Sequence, residues 1–129
     1  MNKPLLLIVD DDALMVDLVS SIGEDAGFDI CQTTNSEAFQ QAWLTNPPRA
    51  IIMDIVMPGM DGMALLLWLS EQNCTTPIIL MSGYAGKYLG LAEKLGTATG
   101  ENIIGTLDKP FNIDKLEVLL EKALQVSES

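Results

Sequence analysis

The sequence contains no histidine, only two cysteines and fewer than half as many basic as acidic residues. Without histidine the chain has no histidine base for catalysis, and the isolated Cys31 and Cys74 cannot form a zinc-type cluster. Two cysteines this far apart favour a reducing compartment such as the cytosol. These absences exclude the commonest metal and nucleophile chemistries and leave carboxylates as the abundant reactive groups.

The charge balance is strongly acidic. Seven lysines and arginines stand against eighteen aspartates and glutamates, for a formal net charge of −11. Such a charge repels the nucleic-acid backbone and anionic lipids, so we expect no direct nucleic-acid binding and no membrane association. The first apolar run, Leu5–Val9, is too short for a signal sequence or a membrane span. The sequence therefore predicts a cytoplasmic protein.

Short apolar runs alternate with longer segments of helical period along the 129 residues, a length that suits one domain. The runs are near-continuous, as expected for parallel strands that are covered on both faces. Five of them have strand length: Leu5–Val9, the weaker Phe28–Thr33, Ala50–Met53, Pro77–Met81 and Ile103–Leu107.

Amphipathic stripes separate these runs. In the first intervening segment Leu14, Leu18 and Ile22, with Met15 and Val19, repeat at helical spacing and predict the buried face of a helix. About five helices alternate with the five strands. Right-handed crossovers then give an α/β fold: a doubly wound five-stranded parallel sheet with helices on both faces.

Polar side chains stand where the predicted strands end. Asp10 and Asp11 follow the first strand, Asp54 follows the third, and Ser82 follows the fourth. Lys109 lies two residues after the fifth. Because ligands of such sheets bind at the carboxyl ends of the strands, we expect these groups to converge on one crevice.

The chemistry of this set follows from its charges. Carboxylates that share a crevice repel one another unless a cation holds them, and Mg²⁺ suits a site of few carboxylates, waters and a phosphate oxygen. With no histidine or reactive cysteine nearby, a carboxylate is the expected nucleophile, and with phosphoryl donors its product is an aspartyl phosphate. Lys109 would pair with the phosphoryl oxygens, and Ser82 would donate a hydrogen bond to one of them.

Four motifs in this order resemble the receiver domain of two-component response regulators, from Leu5 to about Leu124. They are Val9-Asp10-Asp11-Asp12, Met53-Asp54 with Met57-Pro58-Gly59-Met60-Asp61-Gly62, Met81-Ser82-Gly83, and Asp108-Lys109-Pro110-Phe111. The resemblance implies a flavodoxin-like sheet of strand order 2-1-3-4-5. We place the receiver domain at residues 1–126, and the polar residues at 127–129 predict a disordered tail.

The resemblance also implies a role for each matching position. Asp54 matches the phosphoacceptor and one of the metal ligands. Asp11 matches a direct ligand of Mg²⁺, Asp10 a ligand that acts through water, and the backbone carbonyl of Val56 a further ligand. Asp12 matches no ligand position, and we expect it to cap the first helix.

The implied reaction is transfer of a phosphoryl group from a phosphohistidine of a histidine kinase or phosphotransfer protein to Asp54. Ser82 and Lys109 match the hydroxyl and the amine that contact that group. The domain would then be a switch and not an enzyme, with at most self-catalysed phosphotransfer and autodephosphorylation.

Two features depart from the family pattern. Thr106 stands three residues before Lys109, where the family usually carries a tyrosine or phenylalanine that relays the conformational change. The stretch from Ser82 to Lys109 is also longer than usual. We place the extra length at Gly96–Asn102, in the connection between the fourth helix and the fifth strand, near a face that receivers use to dimerise or to meet an output domain.

Alternatives remain open. A pseudo-receiver would dock partners without phosphorylation, and only Thr106 favours it. A haloacid-dehalogenase-like phosphatase also uses an Asp-x-Asp motif, which Asp10–Asp12 fits, but Leu14 stands where that family has threonine or valine. The receiver resemblance further allows a homodimer on phosphorylation and a C-terminal output domain. Gly105–Phe111 loosely resembles receivers joined to EAL-type cyclic-di-GMP phosphodiesterases.

Overall fold

The computed structural model describes residues 3–57, 60–83, 87–108 and 111–128. Within them, five strands form one parallel sheet: β1 Leu5–Val9, β2 Asp29–Thr33, β3 Ala50–Asp54, β6 Ile78–Ser82 and β7 Ile103–Asp108. Two short strands, β4 Val56–Met57 and β5 Met60–Asp61, form a separate antiparallel pair. The helices are α1 Ala13–Asp25, α2 Ser36–Thr45, α3 Gly62–Glu71, α4 Lys87–Ala98 and α5 Ile113–Glu128.

The strands of the sheet lie in the order β2-β1-β3-β6-β7. Counted along the five long strands this is 2-1-3-4-5, so the predicted doubly wound α/β fold and its strand order are confirmed. The register pairs Val9 with Met53, Asp54 with Met81 and Ser82 with Asp108. The carboxyl ends of four adjacent strands therefore meet at one edge.

The core consists of two apolar layers, one on each face of the sheet. Alternate residues of β1 point to opposite layers: Leu6 and Ile8 pack with α1 and α5, whereas Leu7 and Val9 pack with α2, α3 and α4. All four are fully buried. Burial on both faces explains why the central strands β1, β3 and β6 are almost entirely apolar, without the alternation of a sheet that is exposed on one side.

The predicted buried stripe of α1 was wrong for two of its leucines. Val19 and Ile22 are buried as expected, but Leu14 is 81% exposed and Leu18 is 44% exposed. Val16, which lies outside the predicted stripe, is buried instead. The buried face of α1 is therefore rotated from the face that the large apolar residues indicate.

Two small residues explain this rotation. A Cβ atom on Gly23 would lie 2.7 Å from Leu6 Cδ2 and 2.9 Å from Ile30 Cδ1, so the helix rests directly on β1 and β2 at that residue. Ser20 is buried on the same face, where its hydroxyl donates to the Val16 carbonyl at 2.6 Å. The buried face of α1 therefore includes Ser20, whose hydroxyl is bonded within the helix, and Gly23. Hydrophobic periodicity detects only large apolar side chains and does not mark either residue as buried.

The last two helices extend beyond their predicted limits. α4 continues to Ala98, and the residues between it and β7 are the short segment 99–102. Part of the stretch that the sequence analysis assigns to a lengthened connection is therefore helical. α5 runs through Ser127 and Glu128, which the sequence analysis assigns to the tail, and Ser129 lies outside the described residues.

Candidate functional site

Three carboxylates meet at the carboxyl edge of the sheet. Asp10 directly follows β1 and is fully buried, Asp11 is exposed, and Asp54 is the last residue of β3 and only 2% exposed. One carboxylate oxygen from each residue lies within 4.8 Å of the other two. The structure therefore brings together the three acidic residues that the sequence analysis selects.

The turn after β1 fixes the first of these carboxylates. The backbone N–H of Asp10 donates to Thr33 O at 3.3 Å, and the N–H of Asp12 donates to Asp10 Oδ1 at 2.9 Å. The Asp12 carboxylate accepts from the N–H groups of Leu14 at 3.1 Å and Met15 at 3.3 Å. Asp12 is thus the N-cap of α1, as predicted, and a carboxylate at a helix N-terminus is favourable.

Asp54 is held by the strand that carries it and by the segment that follows it. The N–H of Ile55 donates to Met81 O at 3.0 Å, which continues the pairing of β3 with β6 past Asp54. Behind Ile55 lies Gly62, the first residue of α3. A Cβ atom on Gly62 would lie 2.4 Å from Ile55 Cα and 2.7 Å from Ile55 O, so only glycine fits.

The residue pattern assigns no role to Gly62 and does not predict the β4–β5 pair. The pair returns the chain from Asp54 to α3, and Gly62 allows the close approach at its end. An Asp-Gly dipeptide just before a helical pattern is a signal for a tight turn and could have indicated this segment.

The hydroxyl candidate lies at the same edge. Ser82 is the last residue of β6, is fully buried, and stands one residue beyond Met81, the register partner of Asp54. On its other side it pairs with Asp108, the last residue of β7. Asp54 and Ser82 therefore end adjacent strands, as predicted.

Two other predicted positions are only partly described. Lys109 and Pro110 lie outside the described residues, although Asp108, which precedes them, ends β7 at the edge where the carboxylates meet. The backbone of Val56 belongs to β4, two residues after Asp54. Thr106 is half-buried and pairs with Leu80, which packs in the layer of α2, α3 and α4.

The donor set suits a hard divalent cation. All three groups of the cluster are carboxylates, and two of them are buried where repulsion between like charges is poorly screened. Oxygen ligands of this type are those that Mg²⁺ prefers, and the exposed Asp11 leaves one side of the cluster accessible to water and ligand. The residues present therefore fit the predicted cofactor.

A family model described as "Response regulator receiver domain" matches residues 6–121. The chain belongs to the response regulator receiver family. Residues 10, 11, 54 and 82 all lie within the matched part, and the family is one of two-component signalling domains.

Similar proteins include longer regulators. The transcriptional regulatory protein FixJ of Bradyrhizobium diazoefficiens is 32% identical over 128 residues, which cover 98% of this chain and 60% of FixJ. An NtrX-like putative response regulator of Rickettsia bellii is 32% identical over 124 residues, which cover 95% of this chain and 25% of the relative. The chain thus spans between a quarter and three fifths of the length of these two relatives.

Solved structures show the same architecture in isolated receivers. The receiver domain of the Francisella response regulator 1452 superposes with a TM-score of 0.80 at 27% identity, covering 96% of this chain and 98% of that one. The receiver domain of NtrX from Brucella abortus gives a TM-score of 0.80 at 28% identity, covering 93% and 98%.

Proposed function

We propose that this receiver accepts a phosphoryl group on Asp54 from the phosphohistidine of a histidine kinase or phosphotransfer protein, and that it uses Mg²⁺ to do so. The observation that carries the proposal is the cluster of Asp10, Asp11 and Asp54, with carboxylate oxygens within 4.8 Å of one another at the carboxyl edge of the sheet. Family membership supports the same role for these positions.

The chemistry is a displacement at phosphorus. A carboxylate oxygen of Asp54 attacks, the bond between phosphorus and the imidazole nitrogen breaks, and the imidazole leaves with the electron pair. Asp10, Asp11, Asp54 and the carbonyl of Val56 would hold Mg²⁺, which supplies charge neutralisation for the phosphoryl oxygens. Burial of Asp54 to 2% exposure leaves its carboxylate few solvent contacts, so the donor must approach from the open edge of the sheet.

Ser82 and Lys109 complete the proposed site. Ser82 ends the strand next to that of Asp54, from which its hydroxyl would donate to a phosphoryl oxygen. Lys109 would pair with another phosphoryl oxygen as a point charge. Both roles rest on the family resemblance together with the placement of their strands.

Phosphorylation of Asp54 would have to act on an output partner. With Thr106 in place of an aromatic residue, we expect the change at Ser82 to pass through the segment after β6 and through α4. The two relatives named above are longer than this chain, and FixJ is a transcriptional regulatory protein, which supports a covalently attached or separate output partner. Dimerisation on phosphorylation, an EAL-type output domain and the domain limits 1–126 remain predictions.

The cellular setting follows from the family and from the composition. Among the described residues, no helix has both the length and the apolar character needed to cross a bilayer. The net charge of −11 supports a protein that meets nucleic acid only through an output partner. We propose a cytoplasmic location, where a kinase would deliver the phosphoryl group, on the basis of family membership.

The test uses acetyl phosphate as donor with Mg²⁺ and measures intact mass. We expect the wild-type chain to gain one phosphoryl group, and Asp54→Asn and a sample with excess chelator to gain none. Asp25→Asn is the matched control, because Asp25 is an exposed aspartate at the opposite end of α1 from Asp11. A wild-type chain that gains no mass, or an Asp54→Asn variant that still does, would contradict the proposal.

A pseudo-receiver is the second candidate, and Thr106 is the observation that favours it. Such a domain would dock its partner equally well with and without the phosphoryl group. Measuring partner affinity, or self-association in its absence, on the same phosphorylated and unphosphorylated samples distinguishes the two functions.

A further inference from the structure

The carboxyl end of α4 is closed by a glycine-dependent cap. Gly100 has a φ of +85°, its N–H donates to Thr97 O at 3.2 Å, and the N–H of Glu101 donates to Gly96 O at 2.8 Å. These two bonds and the left-handed glycine define a Schellman motif. In that motif the residue after the glycine commonly makes an apolar contact with the last turn of the helix. Here that residue is a glutamate.

The Glu101 side chain is enclosed and incompletely bonded. It is 7% exposed, although a glutamate in this position could in principle point to water. Its Oε2 lies 3.1 Å from Thr99 Oγ1, whereas its Oε1 is buried and has no hydrogen-bond partner. A carboxylate with a buried, unbonded oxygen is the costly form of this group, because burial penalises the charge.

The Thr99 hydroxyl shows which protonation state fits. Thr99 Oγ1 also lies 3.0 Å from Leu95 O and 3.1 Å from Gly96 O, so three acceptors surround a hydroxyl with one proton. If Thr99 donates to either carbonyl, its oxygen can accept a hydrogen bond from a protonated Glu101. The neutral acid can therefore donate to Thr99 through Oε2, whereas the carboxylate competes for the one hydroxyl proton with the two carbonyl oxygens.

The charges around Glu101 do not compensate it. On α4, Glu93 and Lys94 are exposed, and the last turn of that helix carries no basic residue. From the connection between α3 and β6 comes Cys74, a buried thiol whose pKa is raised by burial first and also by the negative charge of Glu101. From β7 comes the apolar Ile103: a Cβ atom on Gly96 would lie 2.7 Å from Ile103 Cγ1 and 3.7 Å from Glu101 Oε2. The described residues thus place no cation against the carboxyl group.

We propose that Glu101 acts as a proton-operated latch at the carboxyl end of α4. In its neutral form it stabilises the packed conformation of that end, and in its ionised form it favours local opening. α4 links β6, which ends at Ser82, to β7, which ends at Asp108. The latch therefore acts on the helix that joins two of the strands at the candidate site. Its release would loosen that helix without altering a residue of the site.

The pH range of the latch follows from the direction of the shift. Burial raises the pKa of Glu101 to about 7 from an ordinary value of 4.5, although the hydrogen bond from Thr99 acts against this change. A group with a raised folded-state pKa contributes its full stabilisation below the unfolded value and loses it as the pH rises through the folded value. The opening constant of the α4 end should therefore rise by up to about tenfold per pH unit between the two values and then level off.

The test compares the wild type with Glu101→Gln, whose neutral amide can donate to Thr99 Oγ1 at every pH. The measurement is hydrogen exchange of the Thr99, Gly100 and Glu101 amides between about pH 5 and about pH 7.5, corrected for intrinsic exchange. We expect wild-type protection to fall across this range and that of Glu101→Gln to stay level. Glu93→Gln, an exposed change on the same helix, should follow the wild type.

A second measurement needs no variant. The side-chain carboxyl carbon of Glu101 in the wild-type protein should titrate by NMR near pH 7, apart from the exposed glutamates. A midpoint near the ordinary 4.5, or equal loss of protection in wild type and Glu101→Gln, would overturn the latch. Neither measurement uses a phosphoryl donor, so failure here is separate from failure of the proposed function.

Discussion

Gly62 abuts the backbone of Ile55 so closely that a Cβ atom there would lie 2.4 Å from Ile55 Cα. The three nearest atoms are all backbone atoms of Ile55 and cannot rotate away. Ile55 directly follows Asp54, and its N–H continues the pairing of β3 with β6. The glycine that begins α3 therefore sets the position of the backbone beside the proposed phosphoacceptor.

We predict that Gly62→Ala destabilises the domain by about 1–3 kcal/mol, the usual cost of inserting atoms where no space exists. Because the displaced backbone adjoins Asp54, phosphorylation by acetyl phosphate should also slow. Gly90→Ala is the control: a Cβ on this exposed α4 glycine meets nothing within 4 Å. It should stabilise the domain by about 0.5–1 kcal/mol, and urea unfolding measures both changes. Equal effects of the two substitutions would contradict the argument.

Removing the α1 cap should lower stability and leave metal binding in place. Asp12→Ala deletes the acceptor for the N–H groups of Leu14 and Met15, which costs about 0.5–2 kcal/mol. Asp12→Asn keeps an acceptor oxygen and should lose much less. Mg²⁺ affinity, measured by calorimetry, should change little in either variant, and its loss in Asp12→Asn would show that Asp12 is a ligand.

Mg²⁺ should stabilise the wild type by an amount that grows with the logarithm of its free concentration once this exceeds Kd. At a free concentration about a hundred times Kd, binding adds about 2.7 kcal/mol to the free energy of unfolding. Asp11→Asn should lose most of this gain and, because it relieves carboxylate repulsion, be more stable than the wild type without the metal. Asp25→Asn should keep the wild-type response. The measurement is thermal unfolding with and without Mg²⁺. If Mg²⁺ stabilised Asp11→Asn as much as the wild type, Asp11 would not be a ligand of the metal.

The rotated buried face of α1 predicts different stability losses when two of its large apolar residues are shortened. Ile22→Ala, at a buried position, should cost about 2–5 kcal/mol. Leu14→Ala, at a position that is 81% exposed, should change the free energy of unfolding by less than about 0.5 kcal/mol. Chemical denaturation of both variants checks this. Comparable losses would show that Leu14 is buried against α1's neighbours in solution.

The sheet could be predicted from sequence because its three central strands, β1, β3 and β6, are buried on both faces and therefore almost entirely apolar. Leu5–Val9 matches β1 at both ends, and the other strands differ only at their limits. β3, β6 and β7 each continue one residue further than predicted, to Asp54, Ser82 and Asp108. Hydrogen bonding of the backbone defines a strand end, whereas the prediction stopped where the side chains became polar.

What sequence alone could not provide are the close approaches between segments that are distant along the chain. The contact of Gly62 with Ile55, and that of Gly23 with Leu6, depend on backbones that come together only in the folded molecule. Hydrophobic periodicity gives most weight to large apolar residues, so it placed Leu14, and not Val16, on the predicted buried face of α1. The carboxylate cluster was predictable for the opposite reason, since strand ends and strand order alone bring Asp10 and Asp54 to the same edge.

The order of the strands also bears on how the chain folds as it leaves the ribosome. β1 is made first but lies between β2 and β3, and its pairings with them run to Thr33 and Met53. A nascent chain therefore carries β1 with both hydrogen-bonding edges unpaired until Thr33 has emerged, and with its β3 edge unpaired until Met53 has emerged. During that interval Leu5–Val9 is the segment most exposed to misassembly with other chains and to capture by chaperones.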